Sequence, residues 1–342
     1  MWTRAICKTG LVLVALALGE FAASPAQASL LVSSFGNSSV LEYNETTGEF
    51  IQTFVSSGSG GLSGSGGLAF SPNGNLLVSS FGSSSVLEYD GKTGEFIRTF
   101  TSGGGLTNPT SLIYAPNGNL LVSSFGTDSV LEYDSTTGEF IKAFVPTGSG
   151  GLSTPVYLKF GLNGNLLVSS SAKSSVLEYD GTTGEFIRTL VSSGSGGLNA
   201  AEGLAFESNG NLLVSSVLTD GVLEYDAKTG EFVKHFVPSG SGGLDGPSGL
   251  VFSPNGNLLI NSFRSSSVLE YDGTTGEFIR TFVPAGSGGL TNPTGVTLSP
   301  TSVPEPSAVL GTLMFGAFGA SRMFKNDMEK RKKKQVLDKS AP

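Results

Sequence analysis

Six near-copies of one segment follow one another through most of this 342-residue sequence. They align on the tripeptide Leu-Glu-Tyr, and the successive tyrosines are 46, 44, 46, 46 and 46 residues apart: Tyr43, Tyr89, Tyr133, Tyr179, Tyr225 and Tyr271. A repeat of this length is one supersecondary unit that cannot bury its apolar faces alone. The copies must therefore pack on one another, and the fold must be a stack or a ring.

One copy, from Gly67 to Phe100, predicts four short β-strands. Its apolar runs are β-branched or aromatic and end at turn residues such as 72–75, a pattern typical of strands rather than helices. The predicted strands are 68–71, 76–80, 86–90 and 95–100. Four strands in a period in the forties are typical of a β-propeller. We therefore predict an all-β, six-bladed β-propeller of four-stranded antiparallel blades in residues 29–302.

The two ends of the array predict how the ring closes. The array begins at Leu30–Ser34, which matches the second strand of a copy, so the first copy lacks its innermost strand. Gly295–Ser299 matches a first strand and has no further strands after it. We expect this C-terminal strand to complete the first blade in a 3+1 closure, which removes free sheet edges.

The copies resemble the NHL repeat of six-bladed propellers over about Leu30 to Ser299. The resemblance is carried by Pro247–Phe252, Asn255–Ile260, Val268–Asp272 and Gly276–Phe282. That family usually has an Ala-Asp or similar pair and an Asn-x-Arg before the third strand. Here those slots hold Ser79-Ser80 and Ser83-Ser84-Ser85. The resemblance therefore implies the propeller fold, and the family's binding-site residues are not carried over to this sequence.

Residues 1–28 are typical of a secretory signal peptide. Arg4 and Lys8 form a basic start, residues 11–18 are apolar, and a small-residue cleavage site follows. The predicted cleavage site comprises Ala26, Ala28 and Ser29. The one cysteine, Cys7, lies in this segment, so the exported protein has no disulfide and depends on burial for its stability.

Residues 303–342 form a three-part tail. A motif (Val303, Pro304, Glu305, Pro306 and Ser307) precedes an apolar helix, 308–321, and a basic segment, 322–342, with Arg322, Lys325, Lys330, Arg331, Lys332, Lys333 and Lys334. This order resembles the PEP-CTERM sorting signal of exported bacterial proteins. The resemblance implies an exosortase-type processing enzyme as partner, transient insertion of the helix in the inner membrane, and delivery to the cell surface or extracellular matrix. The alternative is a membrane anchor that is not cleaved.

The charge of the repeat region excludes some partners. Residues 29–302 contain 10 Lys and Arg against 23 Asp and Glu, a formal charge of −13. Nucleic acids and anionic membranes bind through cations that neutralise phosphate. Neither is therefore expected as a partner of the repeats.

Two residues of the Leu-Glu-Tyr motif have structural interpretations. The glutamate is expected to face a cation on the neighbouring outer strand, such as Arg98, Lys142, Arg188, Lys234 or Arg280, as a cross-strand charge pair. The tyrosine is expected to pack between blades.

A ligand site is expected where the start of each innermost strand meets the tip between second and third strands, since both surround one mouth of the channel. The candidate residues are Asn108, Asp128, Lys173, Glu202, Asp220, Arg264 and Asn292. Copies four and five differ most from the others at their tips. Phe35, Phe81, Phe125 and Phe263 are near the tips too, and we expect core packing rather than an aromatic rim.

Catalytic and metal chemistry have little support in the sequence. His235, the one histidine, falls on an outermost strand, and no Ser-His or Cys-His pair is evident. No catalytic residue, cofactor or metal is predicted. The alternative is a calcium site formed by Glu202, Asp128 and Asp220, as in the gluconolactonase-like propellers that the fold resembles.

The near-identity of the copies favours binding over catalysis, because an enzyme needs different groups converging on one point. We predict an exported, surface- or matrix-associated, non-catalytic binding or scaffold module whose partner is exopolysaccharide or a surface protein. One alternative is a divergent gluconolactonase-like hydrolase or lyase with a divalent cation in the channel. The other is a self-associating structural coat protein.

Overall fold

The computed structural model describes residues 28–300, which form 24 β-strands of five or six residues. In chain order these are β1 (Ser29–Ser34), β2 (Ser39–Asn44), β3 (Phe50–Val55), β4 (Ser65–Phe70), β5 (Leu76–Ser80), β6 (Ser85–Tyr89), β7 (Phe96–Thr101), β8 (Pro109–Tyr114), β9 (Leu120–Ser124), β10 (Ser129–Tyr133), β11 (Phe140–Val145), β12 (Pro155–Phe160), β13 (Leu166–Ser170), β14 (Ser175–Tyr179), β15 (Phe186–Val191), β16 (Ala201–Phe206), β17 (Leu212–Ser216), β18 (Gly221–Tyr225), β19 (Phe232–Val237), β20 (Pro247–Phe252), β21 (Leu258–Ser262), β22 (Ser267–Tyr271), β23 (Phe278–Val283) and β24 (Pro293–Leu298). Single 3₁₀ turns lie in the connections, at Phe35–Asn37, Ser59–Gly61, Phe125–Thr127, Ser149–Gly151, Ser171–Lys173, Ser195–Gly197, Ser241–Gly243 and Ser287–Gly289.

The strands form six four-stranded antiparallel sheets, which confirms the predicted six-bladed β-propeller. Blades 2 to 6 each take four consecutive strands, beginning with β4, β8, β12, β16 and β20. Blade 1 has the order β24-β1-β2-β3, so the predicted 3+1 closure is confirmed. In it Leu30 lies opposite Leu298, and Val32 lies opposite Val296. Each innermost strand also contacts those of both neighbouring blades, and this completes the ring.

Several predictions fall outside the described residues. These are the signal segment, apart from Ala28, and the whole sorting tail from 303 onwards. Both therefore stay predictions. Between residues 28 and 300, no helix has the length and apolar character needed to cross a membrane.

The hydrophobic core lies between the blades. In β5, Leu76 and Val78 pack against Leu31 and Val40 of blade 1. Leu77, which lies between them in the sequence, packs instead in the cluster shared with blade 3. Successive side chains of a strand point to opposite faces of its sheet. The Leu-Leu-Val run of each copy therefore supplies two separate inter-blade interfaces.

The tyrosine of each Leu-Glu-Tyr motif joins its blade to the preceding one. All six tyrosines are fully buried. Tyr179 Oη, for example, donates a hydrogen bond to the carbonyl oxygen of Ser149 at 2.8 Å. Tyr43 of blade 1 makes the same bond to Ser287, after blade 6, at 2.8 Å. The predicted inter-blade role is confirmed, and the bond satisfies a hydroxyl that burial would otherwise leave unpaired.

The glutamate of the same motif forms the predicted cross-strand pair. Glu88 lies opposite Arg98, whose Nε donates to Glu88 Oε2 at 2.7 Å. Asn75 donates to the other carboxylate oxygen at 2.7 Å. Burial by itself raises the pKa of Glu88, but these hydrogen bonds and the positive charge hold it below its ordinary value. Blades 3 to 6 repeat the ion pair, and in blade 1 Gln52 takes the place of the cation.

Blade 5 places a second buried carboxyl beside this pair. Glu207 is 7% exposed and stands where blades 2 and 6 have Ser71 and Ser253. Burial, followed by the neighbouring carboxyl of Glu224, raises the pKa of Glu207 to about 7. Oε2 of each carboxyl is buried without a hydrogen-bond partner, although Lys234 lies 3.4 Å from Glu224. The pair is therefore a local cost to stability.

We expect Glu207→Ser to stabilise the protein, most at pH 8 and least near pH 5. The folded state binds the Glu207 proton more tightly than the unfolded chain does, where the pKa has its ordinary value of 4.5. The stability that this proton contributes is complete below pH 4.5 and is lost as the pH rises through about 7. Serine avoids this loss, so at pH 8 the gain should be about 1–3 kcal/mol.

Thermal unfolding at pH 5 and pH 8 measures this difference. The introduced hydroxyl also has a partner available, because Ser253 Oγ donates to Asn257 O at 2.9 Å and blade 5 keeps the equivalent Asn211. Glu139→Ser, at an exposed glutamate in a turn, is the control for removing a carboxyl. A gain of equal size at both pH values would contradict the paired-carboxyl explanation.

Candidate ligand-binding site at the channel mouth

A cavity of 280 Å³ opens where the sequence predicts a site, at the mouth formed by blade tips and the first residues of the innermost strands. Phe35, Phe81, Phe125, Val217 and Phe263 come from the tips. Thr110, Val156, Ser248 and Thr294 are second residues of innermost strands. The mouth is thus built from equivalent positions of all six blades, and substitutions at these positions determine its chemistry.

Four of the tip residues form an arc of aromatic rings. The centroids of Phe35 and Phe81 are 5.8 Å apart, those of Phe81 and Phe125 are 5.7 Å apart, and those of Phe35 and Phe263 are 6.3 Å apart. We call these four residues the aromatic arc. All four are half-buried and line the cavity, so the expectation of core packing is wrong for them. The arc is interrupted at blades 4 and 5, whose equivalent tip residues are Ser171 and Val217.

Glu202 is the carboxyl group of the cavity wall. It is the second residue of β16, where the other innermost strands have Gly66, Thr110, Val156, Ser248 and Thr294. Among residues 28–300 the Glu202 carboxyl has no hydrogen-bond partner. Burial raises the pKa of Glu202 to about 7, and the positive charge of Arg264 opposes that rise. This side chain is therefore a polar group that the fold itself leaves unpaired.

Tyr157, the next wall residue, was missed by the sequence analysis. It is the third residue of β12, where the other copies have Gly67, Ser111, Gly203, Gly249 and Gly295. Glycine is common there because the next strand lies close: a Cβ on Gly203 would be 2.1 Å from the Ser248 carbonyl oxygen. A Cβ on Gly249 would be 2.6 Å from Tyr157 Oη, so the ring of Tyr157 reaches across β16 to β20. Burial, then the charge of Glu202, raises the Tyr157 pKa.

Arg264 lies at the edge of the cavity and is already ion-paired. Its Nη1 is 3.2 Å from Asp220 Oδ1 and 3.1 Å from Asp245 Oδ1. The same atom donates to the carbonyl oxygen of Val217 at 3.3 Å. The side chain is 41% exposed. The two aspartates therefore neutralise most of its positive charge, and little of that charge acts on a ligand in the cavity.

Four candidate residues hold neighbouring blades together. Asp128 Oδ1 accepts a hydrogen bond from the backbone N–H of Thr154 at 2.6 Å, and Asp220 Oδ1 accepts one from Gly246 at 2.8 Å. In the other blades a serine at the same position does the same. Asn108 and Asn292 donate side-chain bonds to the carbonyl oxygens of Phe81 and Phe263 at 2.9 and 3.0 Å.

The three residues of the calcium hypothesis do not form a cluster. Asp128 and Asp220 belong to the tips of different blades, and Glu202 lies on an innermost strand. Across residues 28–300, no group of three or more His, Cys, Asp or Glu side chains is placed to hold a metal ion.

The candidate Lys173 and two other ionisable residues, His235 and Lys159, lie away from the cavity wall. Lys173 lines a shallow groove with Gly150, Gly151 and Ser192. His235 is exposed on β19 with its ring 5.3 Å from that of Phe232, on the outermost strand as predicted. Lys159 is half-buried on β12, two residues beyond Tyr157, and burial lowers its pKa. Of the seven predicted ligand-face residues, Glu202 and Arg264 line the cavity.

The protein is therefore a six-bladed β-propeller of nearly identical blades, and the blades contribute different side chains to the cavity at the channel mouth. No known protein family matches the sequence, and no curated protein is similar to it. A chain of the nidogen/laminin complex is similar in structure, with a TM-score of 0.64, 15% identity, and coverage of 80% of this chain and 99% of that one.

Two further solved structures share the fold. One is a protein of unknown function from Bacteroides caccae, with a TM-score of 0.61, 18% identity, and coverage of 81% of this chain and 99% of that one. The other is a catalytically inactive histidine-to-alanine variant of virginiamycin B lyase from Staphylococcus aureus with quinupristin. Its TM-score is 0.54, its identity is 9%, and 81% of this chain and 86% of that one are covered. At these identities the likeness shows the fold alone.

Proposed function

We propose that this protein is an exported, surface- or matrix-associated binding module that holds a sugar unit of an exopolysaccharide in the channel mouth without catalysing a reaction. The observation that carries the proposal is that three residues of the cavity wall differ from the equivalent residues of the other blades. Tyr157, Glu202 and Arg264, from three successive blades, introduce polar groups into positions that are otherwise small or apolar. They lie next to the aromatic arc, and a sugar ring offers an apolar face for stacking and hydroxyls for hydrogen bonds.

The two terminal segments support the proposed location of the protein at the cell surface or in the matrix. The signal-like residues 1–28 account for export, and the tail at 303–342 resembles a sorting signal for an exosortase-type enzyme. The acidic repeat region suits a polysaccharide or surface protein better than nucleic acid. In this proposal the apolar helix 308–321 contacts the inner membrane transiently, and the propeller reaches the cell surface or matrix.

A lyase is the second candidate, because a carboxyl with a pKa of about 7 beside a tyrosine hydroxyl is suited to proton transfer. The lyase variant with the similar fold, in which a histidine is replaced by alanine, is catalytically inactive. In this chain the one histidine, His235, is on an outermost strand and not at the mouth. We expect no turnover of quinupristin by mass spectrometry, and product formation would favour the lyase.

Binding is tested by co-sedimentation of the purified protein with extracellular polysaccharide from its source, with and without calcium and a chelator. We expect saturable retention that does not depend on calcium. Phe81→Ala should weaken binding about 10- to 30-fold, the usual effect of removing a central aromatic contact.

Phe96→Ala is the matched control, because Phe96 is exposed on outer strand β7 of the same blade and does not line the cavity. Loss of binding with chelator would support the calcium alternative instead. Sedimentation of the protein alone, in proportion to its concentration, would favour the self-associating coat. Equal binding by both variants would contradict the placement of the site.

A further inference from the structure

We propose that the sugar bound at the mouth is an amino sugar with a free ammonium group, which pairs with the Glu202 carboxylate beside the aromatic arc. This inference rests on the proposed saccharide-binding function and names the chemical class of its ligand. It concerns the region enclosed by Glu202, Tyr157, Arg264 and the aromatic arc.

The first argument is the unpaired carboxyl. Every motif glutamate of the blades has an amide or cationic partner, as in the pair of Glu178 with Arg188 at 2.6 Å. Glu202 has no hydrogen-bond partner among residues 28–300. An ionised carboxylate in a partly apolar wall is costly without a counter-charge. A ligand ammonium, with three N–H donors, supplies both the charge and the hydrogen bonds.

The second argument is the charge balance around the mouth. Among the described residues that line the cavity, Arg264 is the one cation, and it contacts the carboxylates of both Asp220 and Asp245. These two carboxylates already outweigh the single guanidinium, and Glu202 adds a further negative charge when it is ionised. Lys159 lies further along β12 and does not line the cavity. The mouth is therefore net negative, which attracts cations and disfavours uronic or sulfated sugars.

The third argument is the aromatic arc. Aromatic rings carry a negative potential on their faces, so they attract cations as well as apolar sugar faces. The arc presents four such rings within one continuous chain of contacts. An ammonium near Glu202 would gain from both the carboxylate and the ring potential, whereas an acetylated amine would lose the charge and keep only the stacking.

The size of the cavity restricts what enters. Its 280 Å³ is just below the roughly 300–1,000 Å³ range of small-molecule sites. One sugar ring fits this volume better than a longer segment does. The remainder of a polymer would extend over the rim. The affinity would therefore depend strongly on the one ring inside the cavity, including the charge of the group on its second carbon.

Calorimetric titration with three β-1,4-linked hexamers tests the inference, namely those of glucosamine, N-acetylglucosamine and glucose. They differ only at the second carbon of each ring. At pH 7 and low salt, where about half of the free Glu202 carboxyl is ionised, we expect the glucosamine hexamer to bind at least about 10-fold more tightly than the other two. Glu202→Gln should abolish this preference while keeping the weaker binding that all three share.

Glu207→Gln is the control variant, because it removes a carboxyl from the same blade without changing the cavity wall. It should leave the preference unchanged, which separates the local carboxylate from the overall acidity of the protein. Binding of the glucose or N-acetylglucosamine hexamer at equal or higher affinity would overturn the inference and leave the saccharide-binding function standing. Binding of none of the three hexamers would overturn the inference, whereas the function is judged by the polysaccharide retention above.

Discussion

Truncation after Asn292 is expected to lower the stability of the propeller by more than about 5 kcal/mol, a large part of the stability of an ordinary domain. The truncated chain lacks β24, so β1 loses its inner partner. Leu298 and Val296, which are partly buried, also leave the cluster that they form with the fully buried Leu30 and Val32. Removing them exposes Leu30 and Val32, and a fully buried aliphatic side chain is worth about 1.5–3 kcal/mol. Other bonds from β24 reach Ser65 of blade 2 and Asn261 of blade 6.

Thermal unfolding of two truncated chains measures this effect. A chain that ends at Thr301 keeps β24 and is the control for removing the tail. Contacts at the periphery survive in both chains, among them the bond from Arg280 Nη2 to Thr46 O at 2.7 Å. A synthetic peptide of residues 293–300, added in trans, should restore part of the lost stability. Identical melting temperatures for the two chains would refute the role of β24 in closing the ring.

Gly184→Ala is expected to destabilise the protein by about 3–5 kcal/mol. Gly184 is in the turn between β14 and β15 and has a φ of +79°. A Cβ there would lie 1.9 Å from the carbonyl oxygen of Phe144, on the outermost strand of the preceding blade. Because the obstacle is backbone, no side-chain rotation can relieve the clash. The two blades would have to separate locally.

Gly194→Ala isolates the contribution of the backbone conformation. Gly194 has a φ of +74°, and nothing lies within 4 Å of the position of its Cβ. The left-handed conformation alone should cost about 1–2 kcal/mol. In urea unfolding, Gly184→Ala should therefore shift the midpoint at least twice as far as Gly194→Ala. Equal shifts would mean that the turn of blade 4 does not contact blade 3 as tightly as the structure indicates.

The fold followed from the repeat because strand periodicity and turn residues are local properties that recur six times. The predicted second strand, 76–80, agrees with β5 (Leu76–Ser80), and the closure was predicted because the array is out of phase at its ends. The predicted first strand, 68–71, differs from β4 (Ser65–Phe70). The register shifts between Ser65 and Leu68, and this bulge accommodates glycines that look like a loop in the sequence.

The site was predicted less completely, because proximity in a ring depends on tertiary placement. Glu202 and Arg264 were predicted from their positions, one at the start of an innermost strand and the other at a tip, and both line the cavity. Asp128 and Asp220 were chosen by the same criterion. Each stands where the other blades have a serine, and it makes the same hydrogen bond to the next blade as that serine does. Residue type alone could not distinguish these two cases.

Tyr157 could have been found from the sequence. It stands in a column that is otherwise glycine or serine, and a large side chain there must project over its neighbours. The aromatic arc was misinterpreted for a different reason. Phenylalanine in a repeat usually packs in a core, and only the three-dimensional arrangement shows that these rings surround an opening.

The pairing of β1 with β24 also determines when blade 1 can be completed during synthesis of the chain. Val32 pairs with Val296, so the first strand has to wait for almost the whole propeller to be synthesised before its partner exists. At about 5–20 residues per second this interval is roughly 15–50 s. During it the inner edge of β1 offers unpaired backbone groups to any other strand, which is a condition for aggregation. A chaperone or a translocation channel that shields this segment would therefore raise the yield of folded protein more than one that acts on the later blades.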